Sequence, residues 1–145
     1  MFANDKTILV IAGPTCTGKS GLAIEVALAF SGELINADSM QVYRHFDIGT
    51  AKPGIDDRRK VPHHVIDAIE PHEEFNAALF KEMADKAIAE IWSRGNVPIL
   101  VGGTGLYLRA LMYDLFKVET KLALREFLSK QCADDPLQFY EELKR

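Results

Sequence analysis

The sequence Gly13-Pro14-Thr15-Cys16-Thr17-Gly18-Lys19-Ser20 follows an apolar run, residues 8–12, and precedes a run with helical spacing, residues 21–30. It has the form G-x-x-x-x-G-K-S. This motif forms a phosphate-binding loop when it lies between a strand and a helix, as the flanking patterns predict here. Glycines and small residues allow consecutive backbone N–H groups to surround a phosphate group. The positive end of the following helix faces the same anion. The stretch therefore predicts a site for a phosphorylated ligand.

All eight residues of this loop are candidate contacts, because the backbone of the whole loop would surround the anion. The Lys19 ammonium can reach the terminal phosphate as a point charge. The Ser20 hydroxyl suits Mg²⁺, a hard cation that prefers oxygen ligands. The sequence thus predicts Mg²⁺ as a cofactor, held in part by Ser20.

Composition and charge narrow the class of protein. With 145 residues, 48% hydrophobic and 26% charged, the chain has the composition of a globular domain with one core. Its apolar runs are far shorter than a membrane span, and its N-terminus has no signal-peptide layout, so we expect a cytoplasmic protein that does not associate with membranes. A net charge of −4, with 58–60 as the one dense basic stretch, weighs weakly against nucleic-acid binding. Two cysteines far apart in sequence predict reduced thiols.

The alternation of strand and helix patterns predicts an α/β fold. Residues 7–12 have the apolar character of a strand buried on both faces, and residues 97–101 form another buried strand. A helix between two apolar strands makes a crossover connection, so the sheet is expected to be mainly parallel, P-loop NTPase-like and flanked by helices. The other predicted strands are 34–37 and 65–67, and the predicted helices are 22–30, 76–93 and 106–112.

The end of the chain predicts a C-terminal helical segment. Two amphipathic patterns cover residues 120–131 and 136–145, and Pro136 is favourable near a helix start. We divide the chain into a P-loop α/β core, residues 1–116, and the start of a helical region, residues 117–145. The last pattern runs to Arg145 without a cap, from which we expect a piece of a longer protein.

Two further stretches lie at predicted strand ends, where open parallel sheets bind ligands. Asp38 follows the strand 34–37 and could hold a metal ion, act as a base for an acceptor nucleophile, or serve only as a turn residue. Gly102-Gly103-Thr104-Gly105 follows the strand 97–101, where an NTPase would have an acid. These glycines could allow close approach of a substrate or could serve packing.

With these stretches, the chain resembles the tRNA dimethylallyltransferase family, also called tRNA isopentenyltransferases. The phosphate loop is shared with a vast superfamily, whereas the strings around Asp38 and after Val101 are far more particular. Five motifs stand in the family's order: 13–20, Asp38-Ser39-Met40-Gln41-Val42-Tyr43-Arg44, Asp47-Ile48-Gly49-Thr50-Ala51-Lys52-Pro53, Val61-Pro62-His63-His64-Val65-Ile66-Asp67 and Gly102-Gly103-Thr104-Gly105-Leu106-Tyr107-Leu108.

The resemblance implies transfer of a dimethylallyl group from dimethylallyl diphosphate to N6 of the adenine immediately 3′ of the anticodon in tRNA. The implied partners are that diphosphate and the tRNA anticodon stem-loop, and we expect a monomer. The implied catalytic residues are Asp38 as the base, Lys19 beside the departing diphosphate, and Thr104. The tRNA contacts that the family implies are Asp38, Ser39, Met40, Gln41 and Thr104.

Three other functions remain open at this point. A small-molecule P-loop kinase would use Asp38 as base for a hydroxyl and ATP as donor. An adenylate isopentenyltransferase would share the chemistry but act on free nucleotide. A non-enzymatic nucleotide-sensing module is favoured only by the length. Family members are about twice as long, and their second half carries basic residues and a helical insertion that grip the tRNA, so we expect this chain to bind diphosphate weakly and to modify tRNA poorly.

Three other residues of the motifs have separate predictions. His63 and His64 are expected to be hydrogen-bonding structural residues rather than ligands. Lys52 is either a phosphate contact or a loop lysine.

Overall fold

The computed structural model describes residues 6–113 and 121–144. The chain divides into two compact units, Met1–Leu115 and Phe116–Arg145. The boundary that we predicted from sequence, between residues 116 and 117, lies outside the described residues.

The first unit is built on a parallel sheet of four strands in the order β1-β4-β2-β3. The central pair, β4 and β2, is joined from Gly32 opposite Val97 to Asn36 opposite Val101. Since all the strands are parallel, their carboxyl ends meet at one edge of the sheet. The strands are β1 Leu9–Ala12, β2 Gly32–Asn36, β3 His63–His64 and β4 Val97–Gly102.

Helices cover the sheet and form two hydrophobic clusters with it. One cluster packs Ala23, Ile24 and Ala27 of the first helix against Leu34 and Ile99. The other packs a long helix, with Phe80 and Ile91 fully buried, against the opposite side. The predicted α/β fold, with a parallel sheet and flanking helices, is therefore confirmed. The helices of this unit are α1 Lys19–Phe30, α2 Ile55–Lys60, α3 Ala77–Ser93 and α4 Gly105–Met112.

The ends of α3 follow from its sequence. The Asn76 side chain accepts hydrogen bonds from the backbone N–H groups of Ala78 and Leu79, which satisfies two of the free donors of the first turn. After Ser93 the chain reverses through Gly95, whose φ of 77° lies in the left-handed region. The helix thus returns the chain to β4 in the centre of the sheet.

The prediction that the first strand is buried on both faces is wrong. Within the described residues β1 pairs only with β4, and its exposure alternates, with Val10 45% exposed and Ala12 also exposed. An apolar run shows that a strand can be buried, but the position of a strand in the sheet decides whether both sides are covered.

The prediction of a third strand over residues 65–67 is also wrong. The strand is His63–His64, paired with Leu34 and Ile35 of β2. Val65 and Asp67 have φ values of 57° and 49°, which end the extended conformation at once. The apolar residues of this segment therefore belong to a turn.

The second unit contains helices α5 Leu122–Asp134 and α6 Pro136–Leu143, which contact each other. Asp135 caps α6 by accepting from the Gln138 N–H group, and Pro136 occupies its first turn, as the sequence predicts. In residues 6–113 and 121–144 no helix is both long enough and apolar enough to cross a membrane.

Candidate active site

The phosphate loop joins β1 to α1 in a conformation that its small residues permit. Gly18 precedes the helix with φ 81°, a left-handed value that glycine adopts without strain, and Cys16 has φ 65°. The Thr17 hydroxyl donates to the Pro14 carbonyl at 2.9 Å. The Lys19 Nζ donates to the same oxygen, which places the ammonium over the loop. The loop therefore brings a cation and the start of α1 together.

Asp38 lies two residues beyond β2, at the carboxyl edge of the sheet. Its Oδ1 accepts from the backbone N–H groups of Met40 and Gln41, at 2.8 and 3.3 Å. Among the described residues no donor approaches Oδ2. The carboxylate therefore anchors a turn with one oxygen and keeps the other available for chemistry.

Thr104 holds this turn against the end of β4. Its Oγ1 accepts from the Ser39 N–H group at 3.1 Å, and its own N–H donates to the Ala37 carbonyl at 3.2 Å. A Cβ at Gly102 would overlap the Ala37 backbone, so the first glycine of the stretch 102–105 allows the two chain segments to touch. The packing interpretation of that glycine is therefore correct.

A cavity of about 200 Å³ lies between these segments. Its polar side contains residues 15–20 of the phosphate loop together with Asp38 and Gln41. Gly13 and Pro14 form the start of the loop but do not line the cavity. Ser39 and Met40 lie in the Asp38 turn, and Thr104 contacts that turn through Ser39; none of these three lines the cavity. The remaining wall is largely hydrocarbon, from Leu34, Ala51, Pro53, Ile66 and Val101. The fold thus places an apolar wall opposite a phosphate loop.

Two buried amides support the wall. The Asn36 Nδ2 donates to the Val65 carbonyl at 3.1 Å, and the Gln41 Nε2 donates to the carbonyls of Thr50 and Ala51. Because a carbonyl can only accept, these contacts establish which atom of each amide is the nitrogen. Asn36 and Gln41 are 6% and 9% exposed, so each holds a wall segment from inside the protein.

Lys52 belongs to an ionic network rather than to the phosphate loop. Its side chain is 1% exposed, and its Nζ donates to the Tyr43 carbonyl and to Asp67 Oδ1, both at 2.7 Å. The Asp47 carboxylate lies 3.0 Å from the same nitrogen, so the three N–H donors of the ammonium are used. The hypothesis of Lys52 as a phosphate contact therefore gives way to a structural role.

Asp67 is the acidic centre of that network. Its Oδ2 accepts from Arg58 Nη1 at 2.5 Å, while its Oδ1 accepts from Lys52. Burial of the carboxyl favours its neutral form, but the hydrogen bonds from Lys52 and Arg58 outweigh burial and hold the pKa of Asp67 below its ordinary value. The basic stretch 58–60 is likewise paired with acids, since Arg59 contacts Asp56 and Lys60 contacts Asp57.

The two histidines have different surroundings. The His64 Nε2 lies 2.7 Å from Glu33 Oε2, in a buried cluster to which Arg94 and Asn96 also donate. This is the structural role that the sequence predicts. His63 lines the cavity, its Nδ1 donates to the Val61 carbonyl at 2.9 Å, and burial lowers its pKa. Its Nε2 is therefore a neutral acceptor at physiological pH.

The oxygen atoms at the cavity suit a cation that is held mainly by the phosphate oxygens of a bound ligand. Within residues 6–113 and 121–144 no group of three His, Cys, Asp or Glu side chains could enclose a metal ion. Mg²⁺ keeps several waters and needs only one or two protein oxygens beside phosphate oxygens. The Ser20 hydroxyl, which lines the cavity, is an oxygen of that kind.

The family profile described as IPP transferase matches residues 41–145. The chain belongs to the IPP transferase family. The resemblance found in the motifs is thereby confirmed.

Relatives with this family's activity are close in sequence. The tRNA dimethylallyltransferase of Pelotomaculum thermopropionicum is 47% identical over 140 residues, which are 95% of this chain and 45% of that protein. The tRNA dimethylallyltransferase of Staphylococcus carnosus is 44% identical, over 97% of this chain and 48% of its own length. The chain thus spans slightly less than half the length of these relatives.

Solved structures of family members share the fold. The full-length tRNA isopentenylpyrophosphate transferase of Bacillus halodurans matches with a TM-score of 0.75 at 37% identity, over 94% of this chain and 50% of that one. A eukaryotic dimethylallyltransferase acting on tRNA matches with a TM-score of 0.74 at 43% identity, over 81% of this chain and 29% of that one.

Several cavity residues are not among the predicted site residues. Asn36, His63 and Ile66 line the cavity, whereas the sequence predicts a strand position for Asn36, a structural role for His63, and a strand and motif position for Ile66. A polar Asn at the end of an otherwise apolar strand was an available indication of a special environment. Nothing in the pattern around Ile66 indicates that it faces a cavity rather than the core.

Proposed function

We propose that the protein transfers a dimethylallyl group from dimethylallyl diphosphate to N6 of an adenine in tRNA, the one 3′-adjacent to the anticodon. The observation that carries this proposal is the cavity shared by the phosphate loop, the free Asp38 oxygen and an apolar wall. A diphosphate needs the phosphate loop, an amine nucleophile needs a base such as the free Asp38 oxygen, and a hydrocarbon group needs the apolar wall. The names of the relatives support the same reaction, and a cytoplasmic setting is consistent with tRNA as the substrate.

The diphosphate would be held by the N–H groups of the loop and by Lys19, which leaves its contact with Pro14 to reach the anion. These donors stabilise the charge that builds on the departing oxygen as the allylic C–O bond breaks. The Ser20 hydroxyl would hold Mg²⁺, which neutralises part of the diphosphate charge when bound. The loop therefore assists a leaving group and needs no residue that positions water for hydrolysis.

Asp38 would act on the nucleophile. The N6 amine attacks C1 of the allyl group, the C–O bond breaks with its electrons on diphosphate, and the N6 proton passes to Asp38 Oδ2. The Oδ1 contacts with Met40 and Gln41 keep the carboxylate aimed at the cavity during this step. General base catalysis of this kind contributes about 10²- to 10⁴-fold.

The turn held by Thr104 would present Ser39, Met40 and Gln41 to the tRNA. Met40 is 46% exposed beside the cavity, as a residue that meets a macromolecular substrate should be. The adenine must leave the stack of the anticodon loop to reach Asp38, at a cost of a few kcal/mol. Contacts from this turn would offset part of that cost.

Calorimetric titration in the presence of Mg²⁺ tests the proposal, with dimethylallyl diphosphate and ATP as ligands. We expect the wild-type chain to prefer the allylic diphosphate. The variant Lys19→Ala should lose about 10- to 100-fold in affinity, because a charge-assisted hydrogen bond contributes about 1.5–3 kcal/mol. Lys86→Ala, on the exposed surface of α3, is the matched control. Tight ATP binding without allylic preference would contradict the proposal and favour a kinase.

A further inference from the structure

The cavity residue Ile66 lies in a turn with unusual backbone conformation, directly after β3. Val65 and Asp67 have left-handed φ values of 57° and 49°, and Ile66 stands between them. A β-branched residue such as Val65 rarely adopts that conformation, which costs on the order of 1–3 kcal/mol. Such a turn persists only where its surroundings hold it.

Contacts from three directions hold this turn. Below it, the buried Asn36 amide donates to the Val65 carbonyl. Beside it, the Asp67 N–H group donates to the Gln41 carbonyl at 3.2 Å. Finally, the buried Lys52 and the partly buried Arg58 bind the Asp67 carboxylate. Each flanking residue is thus fixed by buried or charge-assisted hydrogen bonds, which resist displacement.

The consequence of the turn is the direction of the Ile66 side chain. Val65 is 8% exposed and packs in the core cluster with Ile35 and Phe80, whereas Ile66 lines the cavity. The two adjacent side chains are thereby divided between the core and the cavity.

The position of Ile66 gives it one physical effect on a ligand. The cavity of about 200 Å³ must contain the diphosphate beside the loop as well as the hydrocarbon beside Leu34, Val101 and Ile66. Moving this part of the wall aside for a longer chain would break the contacts of Asp67 with Lys52 and Arg58. The size of the Ile66 side chain therefore affects how much hydrocarbon fits beside it in the cavity.

We propose that Ile66 is a specificity-determining residue that selects a five-carbon allyl group over longer prenyl groups. The strained turn 65–67, held by Asn36, Lys52 and Arg58, positions it. This inference rests on the proposed function, because it concerns the hydrocarbon part of the same diphosphate ligand.

The test compares three ligands by calorimetry with Mg²⁺: inorganic diphosphate, dimethylallyl diphosphate and geranyl diphosphate. In the wild-type chain we expect dimethylallyl diphosphate to bind at least about tenfold more tightly than geranyl diphosphate. Ile66→Ala should reduce that ratio about tenfold, by removing hydrocarbon that blocks the longer chain. Ile66→Phe should weaken dimethylallyl diphosphate about tenfold. Neither variant should change the affinity for inorganic diphosphate, which contacts only the loop.

Ile48→Ala is the matched control, because Ile48 is 99% exposed and does not line the cavity. Ile66→Val supplies the smaller change if circular dichroism shows that Ile66→Ala is unfolded. The inference would be overturned, with the proposed function intact, if the ratio of affinities for dimethylallyl and geranyl diphosphate were unchanged in Ile66→Phe and in whichever of Ile66→Ala and Ile66→Val is folded. Equal losses for all three ligands would also overturn it, since the turn would then support the loop. A wild-type chain that does not distinguish dimethylallyl from inorganic diphosphate would instead refute the proposed function, and the inference with it.

Discussion

Glu33 and Asp38 are two carboxylates of the same chain segment with opposite surroundings. Glu33 lies near the start of β2, where Arg94, Asn96 and His64 together donate to both of its oxygens and its side chain is 4% exposed. Asp38 lies beyond the end of β2, and only one of its oxygens has donors among the described residues. A carboxylate whose oxygens are both occupied stabilises the fold, whereas one with a free oxygen at a cavity can exchange a proton.

The electrostatics of Glu33 agree with a structural role. The hydrogen bond from Arg94 is the main cause that lowers its pKa to about 2, against the effect of burial, and Asn96 and His64 lower it further. The same contact raises the pKa of Arg94. A group that remains ionised at every physiological pH is unsuited to accept a proton in catalysis.

The largest expected effect comes from Asp38→Asn. The amide keeps Oδ1 as acceptor for Met40 and Gln41 but loses the basic oxygen, so transfer should slow by about 10²- to 10⁴-fold while the melting temperature stays within about two degrees. Single-turnover transfer from dimethylallyl diphosphate to an anticodon stem-loop RNA measures the rate. Glu33→Gln is the matched control, and equal loss of rate in the two folded variants would remove the distinction between the carboxylates.

The second effect is on stability and should appear only in Glu33→Gln. Its new NH₂ group, buried as the Glu33 carboxylate is, would face the donors of Arg94 and His64, and the loss of these charge-assisted hydrogen bonds should cost about 1.5–3 kcal/mol of unfolding free energy. Urea denaturation of Glu33→Gln and Asp38→Asn at pH 7 gives both values. A loss below about 0.5 kcal/mol in Glu33→Gln would contradict the structural role of this cluster.

The third effect, a loss of stability in acid, is the most gradual. The pKa of Glu33 is about 2 in the fold and 4.5 ordinarily, so the unfolded chain binds more protons between these values. The stabilisation by Glu33 is therefore complete above about pH 5 and is lost as the pH falls toward 2. Denaturation midpoints between pH 6 and 3 should fall less steeply in Glu33→Gln than in the wild type, and parallel profiles would show that Glu33 does not cause the loss.

The sequence predicts those parts of the site in which the interacting residues are close together along the chain. The phosphate loop needs Gly18 and Lys19 next to each other, and the Asp38 turn closes onto Met40 and Gln41 within three residues. Local chemistry of this kind is visible as a motif. Asn36 and Ile66 could not be assigned in that way. Asn36 binds Val65, which is 29 residues away in sequence, and Ile66 shares a cavity with the distant phosphate loop.

The sequence by itself determined the α/β class, the bounds of the long helix α3 within a residue or two, and the family, because period, caps and motifs are local properties. The tertiary structure alone decided that β1 lies at a sheet edge among the described residues, and that Lys52 binds Asp67 rather than phosphate. It also decided which of two adjacent residues, Val65 or Ile66, faces the cavity. These choices depend on strand order and on ionic contacts between distant residues, which no local pattern encodes.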